Sequence, residues 1–177
     1  MVVKYGGATM KSPELQAFVI RALVLLSCVG LRPMLVSKIN SWLQCICVEL
    51  QFRNGLRITD ALNMEIVVMV LIGKVNINKH LVSLISLTGA TAIASAARTR
   101  PFLDAASLVF VSEVTRVDPS VLHPIIASSS GHIPVIPTVA ADETRQAYNI
   151  KADTAAGEIA AAIGVEAVAE YCHWRWH

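Results

Sequence analysis

The chain of 177 residues is 54% hydrophobic and 16% charged, which excludes an intrinsically disordered protein and suffices for a buried core. Its mean hydropathy is +0.56, but the longest apolar stretch, residues 17–36, is broken by two arginines, a glycine and a proline, so it does not suit a membrane span. The net charge of +2 comes from scattered lysines and arginines, without the basic cluster that nucleic-acid binding requires. We therefore expect a globular domain that binds neither a membrane nor nucleic acid.

The first quarter of the chain predicts alternating strands and helices. Residues 1–5 form a short apolar run followed by glycines, as expected for a buried strand. Ser12 and Pro13 predict a helix start, with serine as the N-cap and proline at the first helical position, and this helix should end at about residue 28. The next predicted elements are a buried strand at 33–36 and a helix at 40–47.

The middle of the chain predicts a turn followed by two helices. Asn54 and Gly55 are typical of a tight turn. Residues 59–71 predict a helix that is apolar nearly all round, so it should be fully buried or pack on a partner subunit. Residues 90–97 show only a weak pattern. The other predicted elements are a helix at 78–87 and a strand at 108–117.

The last third predicts a short helix that begins at residues 118–120, a strand at 133–139 and an alanine-rich helix at 153–163. Pro134 and Pro137 should restrict the pairing of the strand. Strands that alternate with helices favour a mainly parallel sheet with helices on both faces. We therefore predict an α/β fold, a three-layer αβα sandwich.

Cysteine and histidine do not form a recognisable metal site in this sequence. Cys45 and Cys47 are separated by one residue, which is the spacing of neither a zinc knuckle nor a thioredoxin motif. Residues 172–177 hold one cysteine and two histidines, but no second pair of ligands accompanies them. We predict no metal site of this kind.

Three short motifs carry side chains suited to anionic ligands, although each also has a purely structural interpretation. Lys4 precedes Gly6 and Gly7, and glycine N–H groups beside a lysine suit a transferring phosphoryl group, but so short a pattern also fits an ordinary turn. Arg57 could hold a carboxylate or be a solvated turn arginine. Asp153, at a helix start, could cap the helix or orient a lysine.

Taken together and in this order, these motifs resemble the amino acid kinase family. The best match is to the acetylglutamate kinases of the plant or photosynthetic type, and longer stretches carry it as well. The resemblance covers residues 1 to about 168 and implies the N-terminal part of the amino acid kinase fold. The longer matching stretches are residues 23–33, 60–67, 131–136 and 140–144.

The resemblance implies phosphoryl transfer from MgATP to the side-chain carboxylate of N-acetyl-L-glutamate, in arginine biosynthesis. It implies that Lys4 stabilises the transferring phosphoryl group and that Asp153 orients the catalytic lysines. It further implies a homodimer formed through the 60–72 helix and a plastid location, with the cytosol as the alternative because no transit peptide is evident. PII signalling protein binds plant-type members through a surface that draws on the nucleotide half. The residues implied to bind substrate are Gly6, Gly7, Arg57 and Asn149.

Several departures from the family pattern lead to a second hypothesis. Ser37 and Lys38 stand where the family has a glycine-rich loop, and Lys151 replaces an asparagine where it could pair with Asp153 and disturb its role. The expected organisation is an acetylglutamate-binding and dimerisation part at 1–168 and an unrelated tail at 169–177, with the nucleotide-binding half absent. The alternative is therefore a catalytically inactive paralogue that acts as a dimerising or acetylglutamate-binding module, with little kinase activity in the purified chain.

Overall fold

We analysed a computed structural model of the protein. It describes residues 1–6, 12–37, 51–53, 56–58, 77–94, 103–108, 111–120, 122–127, 131–141, 147–165 and 168–171. In several short elements, namely residues 51–53, 56–58, 77–78, 103–108, 111–116, 140–141, 147–149 and 169–171, the description covers the backbone.

Four helices lie within the described residues, and their ends follow local sequence signals. The Ser12 Oγ accepts a hydrogen bond of 3.4 Å from the Leu15 N–H, so the predicted N-cap of the first helix is confirmed. That helix ends before Gly30, whose φ of 84° is favourable only for glycine. The helices are α1 (Pro13–Cys28), α2 (Ile77–Leu87), α3 (Leu122–Ala127) and α4 (Ala152–Ala162).

A five-stranded sheet forms the middle layer, and all of its neighbouring strands run parallel in the order β11-β1-β2-β8-β5. The remaining strands form three antiparallel pairs, β3 with β4, β6 with β7, and β9 with β10. The strands are β1 (Val2–Tyr5), β2 (Met34–Ser37), β3 (Gln51–Arg53), β4 (Leu56–Ile58), β5 (Ala92–Ala94), β6 (Leu103–Leu108), β7 (Val111–Val117), β8 (Ile133–Pro137), β9 (Val139–Ala141), β10 (Ala147–Asn149) and β11 (Val168–Tyr171).

Each face of the sheet buries its own apolar cluster, which confirms the predicted three-layer αβα sandwich. Successive side chains of a strand point to opposite faces, so β1 contributes Val3 and Tyr5 to one cluster and Val2 to the other. The first cluster packs against α1 and α2, through residues such as Leu23 and Leu81. The second packs against α3 and α4, through Leu122, Ala155, Ala156 and Ile159. Alternation along β1 therefore places Lys4 on the α4 face.

Three expectations about strands needed correction. The weakly patterned stretch holds β5, which pairs with β8, and the strand expected at 108–117 is the second half of a hairpin whose first half, β6, was not predicted. The prolines at 134 and 137 do not prevent pairing, because β8 pairs with both β2 and β5, and the expected restriction is limited to the N–H donors that the two prolines lack. Each residue of an inner parallel strand directs its N–H to one neighbour, so a proline removes one bond of the ladder and leaves the others intact.

Other expectations fall on residues that are not described. They are the helices at 40–47 and 60–72, the turn at 54–55, and the tail from 172 onward.

β11 runs across the expected boundary at 168 and pairs with β1 along its whole length. Cys28, at the end of α1, is exposed.

Candidate functional site

The carboxyl ends of three central strands meet at one edge of the sheet. In the register of the ladder, Tyr5 of β1 lies opposite Ser37 of β2, which lies opposite Pro137 of β8. In open α/β sheets this edge is where ligands bind. Lys4 stands one residue before the end of β1, and Gly6 follows the strand directly. The edge therefore carries the first of the predicted catalytic residues.

Lys4 forms an ion pair with Asp153, the second residue of α4. The Lys4 Nζ lies 2.7 Å from the Asp153 Oδ1, while the Lys4 residue is only 8% exposed. A buried ammonium group is costly unless a charged partner compensates it, and the carboxylate supplies that compensation. The carboxylate also lies in the first turn of a helix, where the helix dipole favours negative charge. The two residues predicted to be catalytic are thus in direct contact.

Lys151 approaches the other oxygen of the same carboxylate. Its Nζ lies 4.0 Å from the Asp153 Oδ2, and its side chain is 53% exposed. This distance allows a charge interaction but exceeds that of a hydrogen bond. The predicted pairing of Lys151 with Asp153 is therefore present, and the cluster holds two positive charges and one negative charge.

The two interpretations of Asp153 can now be separated. Lys151, not Asp153, occupies the N-cap position of α4, and no side-chain capping bond is made there. The carboxylate is instead directed at the two lysines. Asp153 thus links α4 to β1 electrostatically, through its ion pair with Lys4.

The backbone that leads into α4 is fixed to the same edge of the sheet. The Ile150 N–H donates to the Thr138 carbonyl at 3.0 Å, directly after β8. In the antiparallel pair β9–β10, Asn149 lies opposite Val139. The predicted substrate-binding residue Asn149 is therefore on the strand that runs into the Lys4–Asp153 pair, and its backbone lies at the carboxyl end of β8.

Arg57 lies in β4, opposite Phe52 of β3. β4 contacts β7, and β7 also contacts β10 and α4, so the elements that carry Arg57, Asn149 and Asp153 all adjoin one strand. Gly7 and Lys38 lie outside the described residues.

Two buried hydroxyl groups near this edge were not singled out from the sequence. Within the described part of the chain, neither the Tyr5 hydroxyl nor the Thr138 Oγ1 has a hydrogen-bond partner. Burial raises the pKa of the Tyr5 hydroxyl to about 12. The available signal was a polar residue at the end of a buried strand, which is too common to identify a site.

The chain is similar to known proteins in both sequence and fold. A sequence model of the amino acid kinase family matches residues 1–171. The chain belongs to this family. It is 56% identical to the chloroplastic acetylglutamate kinase of Arabidopsis thaliana, over 94% of the chain and 50% of that protein. It is also 50% identical to the acetylglutamate kinase of Nostoc sp. strain PCC 7120, over 94% of the chain and 58% of that protein. The resemblance to plant and cyanobacterial acetylglutamate kinases is thereby confirmed.

Solved structures share the amino acid kinase fold at low sequence identity. The smu.665 protein of Streptococcus mutans UA159 superposes with a TM-score of 0.78 at 20% identity, covering 94% of this chain and 69% of that one. The N-acetylglutamate synthase of Neisseria gonorrhoeae, complexed with coenzyme A and N-acetyl-glutamate, superposes with a TM-score of 0.74 at 16% identity, covering 96% and 40%. These similarities support the fold alone.

The family sets coarse limits on the chemistry. The relatives named above are kinases, a class of enzyme that uses ATP. The chain spans about half the length of the curated relatives it matches. Within the described residues, no cluster of three or more histidine, cysteine, aspartate or glutamate side chains could hold a metal ion. None of the described helices is both long enough and apolar enough to cross a membrane.

Proposed function

We propose that this chain supplies the acid-binding and phosphoryl-positioning half of an acetylglutamate kinase, which phosphorylates the side-chain carboxylate of N-acetyl-L-glutamate. The observation that carries the proposal is the Lys4–Asp153 ion pair at the carboxyl edge of a parallel sheet. It is supported by 56% identity to a chloroplastic acetylglutamate kinase, which also favours a plastid location and a role in arginine biosynthesis.

In the proposed reaction, a carboxylate oxygen of acetylglutamate forms a bond to phosphorus while the bond from phosphorus to the leaving ADP breaks. Lys4 places a positive charge where the negative charge of the transferring group is concentrated, and Asp153 holds the Lys4 ammonium in place. The Gly6 and Gly7 N–H groups donate to phosphate oxygens, while Arg57 and Asn149 bind the acid.

MgATP is the phosphoryl donor in this proposal. Of the described residues, Lys4 and the backbone N–H groups at the start of α4 would hold its phosphoryl end. MgATP supplies the group that the acid accepts. A homodimer through residues 60–72 is a further part of the proposal that follows from the family resemblance. An interaction with PII signalling protein would require the nucleotide half as well, because the surface that plant-type members use for it draws on that half.

Calorimetric titration with N-acetyl-L-glutamate and a coupled ADP-release assay with the acid and MgATP test the proposal together. We expect the acid to bind, and we expect Lys4→Met to retain this binding while lowering any turnover by about 100- to 1000-fold. Arg57→Ala should weaken acid binding, whereas Arg21→Ala, on the exposed face of α1, should leave it unchanged.

The same two assays separate the kinase from the inactive module. Turnover well above that of Lys4→Met identifies a kinase, and it would contradict the expectation of little activity in the purified chain. Acid binding combined with a turnover equal to that of Lys4→Met identifies an inactive binding module. The contact between Lys151 and Asp153 is consistent with this outcome, because a second cation near the carboxylate would weaken its hold on Lys4. Absence of acid binding at millimolar concentration refutes both.

A further inference from the structure

We propose that Lys151 is a second phosphate-binding cation, so that Lys4 and Lys151 together hold a doubly charged phosphoryl group with Asp153 between them. This inference rests on the proposed function and assigns a role to a residue that the family pattern does not predict. The alternative, that Lys151 only draws Asp153 away from Lys4, is an outcome of the test below.

The charge of the cluster is the first argument. Lys4 and Asp153 lie 2.7 Å apart and cancel each other, so this pair alone attracts an anion weakly. Lys151 adds a second positive charge near the other carboxylate oxygen. These three groups alone carry a net charge of +1, and this charge favours the binding of a phosphate dianion over that of a neutral ligand.

The geometry of Lys151 is the second argument. At 4.0 Å from Asp153 Oδ2, the Lys151 ammonium makes no hydrogen bond to that oxygen, so its N–H donors remain available to a ligand. Its side chain is 53% exposed, whereas that of Lys4 is 10% exposed, so Lys151 can adjust its position while Lys4 is held by its surroundings.

The backbone of Lys151 is the third argument. The Ile150 N–H is bonded to the Thr138 carbonyl, and the Lys151 carbonyl accepts the Ala155 N–H at 2.9 Å, the first bond of α4. These two bonds fix the Cα of Lys151 between the sheet edge and the helix start. The Lys151 side chain therefore originates beside the Lys4–Asp153 pair, and the positive end of the helix dipole adds to the attraction for an anion.

The test is a calorimetric titration with inorganic phosphate at a pH at which it is a dianion, compared with acetate as a singly charged probe. We expect Lys151→Asn to raise the Kd for phosphate about fivefold to tenfold, with a smaller change for acetate. Lys151→Arg, which keeps the charge, should stay within about twofold of the wild type. Arg21→Gln removes the same charge from an exposed position of α1 and serves as the control.

Two results would overturn the inference. The first is that Lys151→Asn leaves the Kd for phosphate unchanged or lowers it, and the second is that the wild-type chain binds no phosphate. The titration with N-acetyl-L-glutamate decides the proposed function separately, because Lys151→Asn should change that Kd by no more than about twofold. Acid binding combined with either negative phosphate result would therefore refute the role of Lys151 and leave the proposed function standing.

Discussion

The two partners of the Lys4–Asp153 ion pair should contribute unequally to stability, because their exposure differs. The Lys4 side chain is 10% exposed and that of Asp153 is 41% exposed. Removing one partner of a fully buried pair costs about 3–5 kcal/mol, and the exposure of the carboxylate reduces this. We therefore expect Asp153→Asn, which leaves a buried ammonium without this carboxylate, to cost about 2 kcal/mol. Lys4→Met fills similar space and leaves a carboxylate that water and Lys151 can solvate, so it should cost less than about 1 kcal/mol.

Urea unfolding followed by far-ultraviolet circular dichroism measures these costs, provided that the slope against urea concentration is the same for all variants. The double variant Lys4→Met/Asp153→Asn should be close to Lys4→Met alone, since the buried charge is gone. Glu158→Gln, an exposed change on α4, is the control and should stay within about 0.5 kcal/mol. The reasoning is refuted if Lys4→Met destabilises the protein as much as Asp153→Asn does.

Three further predictions concern the scaffold. Ser12→Ala removes the N-cap hydrogen bond of α1 and should lower the unfolding free energy by about 0.5–1 kcal/mol, and Ser12→Asp should restore it. An unchanged urea midpoint for Ser12→Ala would contradict the stabilising role of this cap. Gly157 lies within α4 with open space around it, so Gly157→Ala should raise the unfolding free energy by about 0.5–1 kcal/mol. Gly164 has a φ of 67°, so Gly164→Ala should lower the unfolding free energy by about 1 kcal/mol. Thermal melts in which both substitutions shift the melting temperature in the same direction would refute this. Because burial raises the folded pKa of Tyr5 from 10 to about 12, the stability of the protein should not depend on Tyr5 ionisation below about pH 10 and should fall as the pH rises from there toward 12. Tyr5→Phe should therefore be neutral or stabilising at pH 8 and should lose less stability than the wild type between pH 8 and pH 11 in urea unfolding; equal losses would argue against the shift.

Elements that depend on local chemistry were predictable from the sequence. Ser12 and Pro13 mark the start of α1 by hydrogen bonding and by a fixed φ, and Gly30 and Gly164 mark helix ends by their positive φ. These signals act within a few residues, so no knowledge of the tertiary structure is needed to read them.

Elements that depend on partners were not predictable. β5 consists of Ala92, Ile93 and Ala94, a weak strand sequence that becomes a strand because β8 pairs with it. The role of Asp153 was similarly open, because capping and lysine binding suit the same position of a helix. The family resemblance suggested the second role, and only the tertiary structure brings Lys4 to 2.7 Å.

The neighbours of β1 in the sheet have a consequence for the order of folding. β1 comes from the beginning of the chain, yet it lies between β2 and β11, and β11 is the latest strand of the described chain. During synthesis, the β1 edge that β11 covers therefore stays unpaired until nearly all of the described chain has left the ribosome. The ion pair between β1 and α4 must wait almost as long. Closure of this sheet is a long-range and therefore slow event, and the open edge of β1 is a point at which nascent chains can associate wrongly.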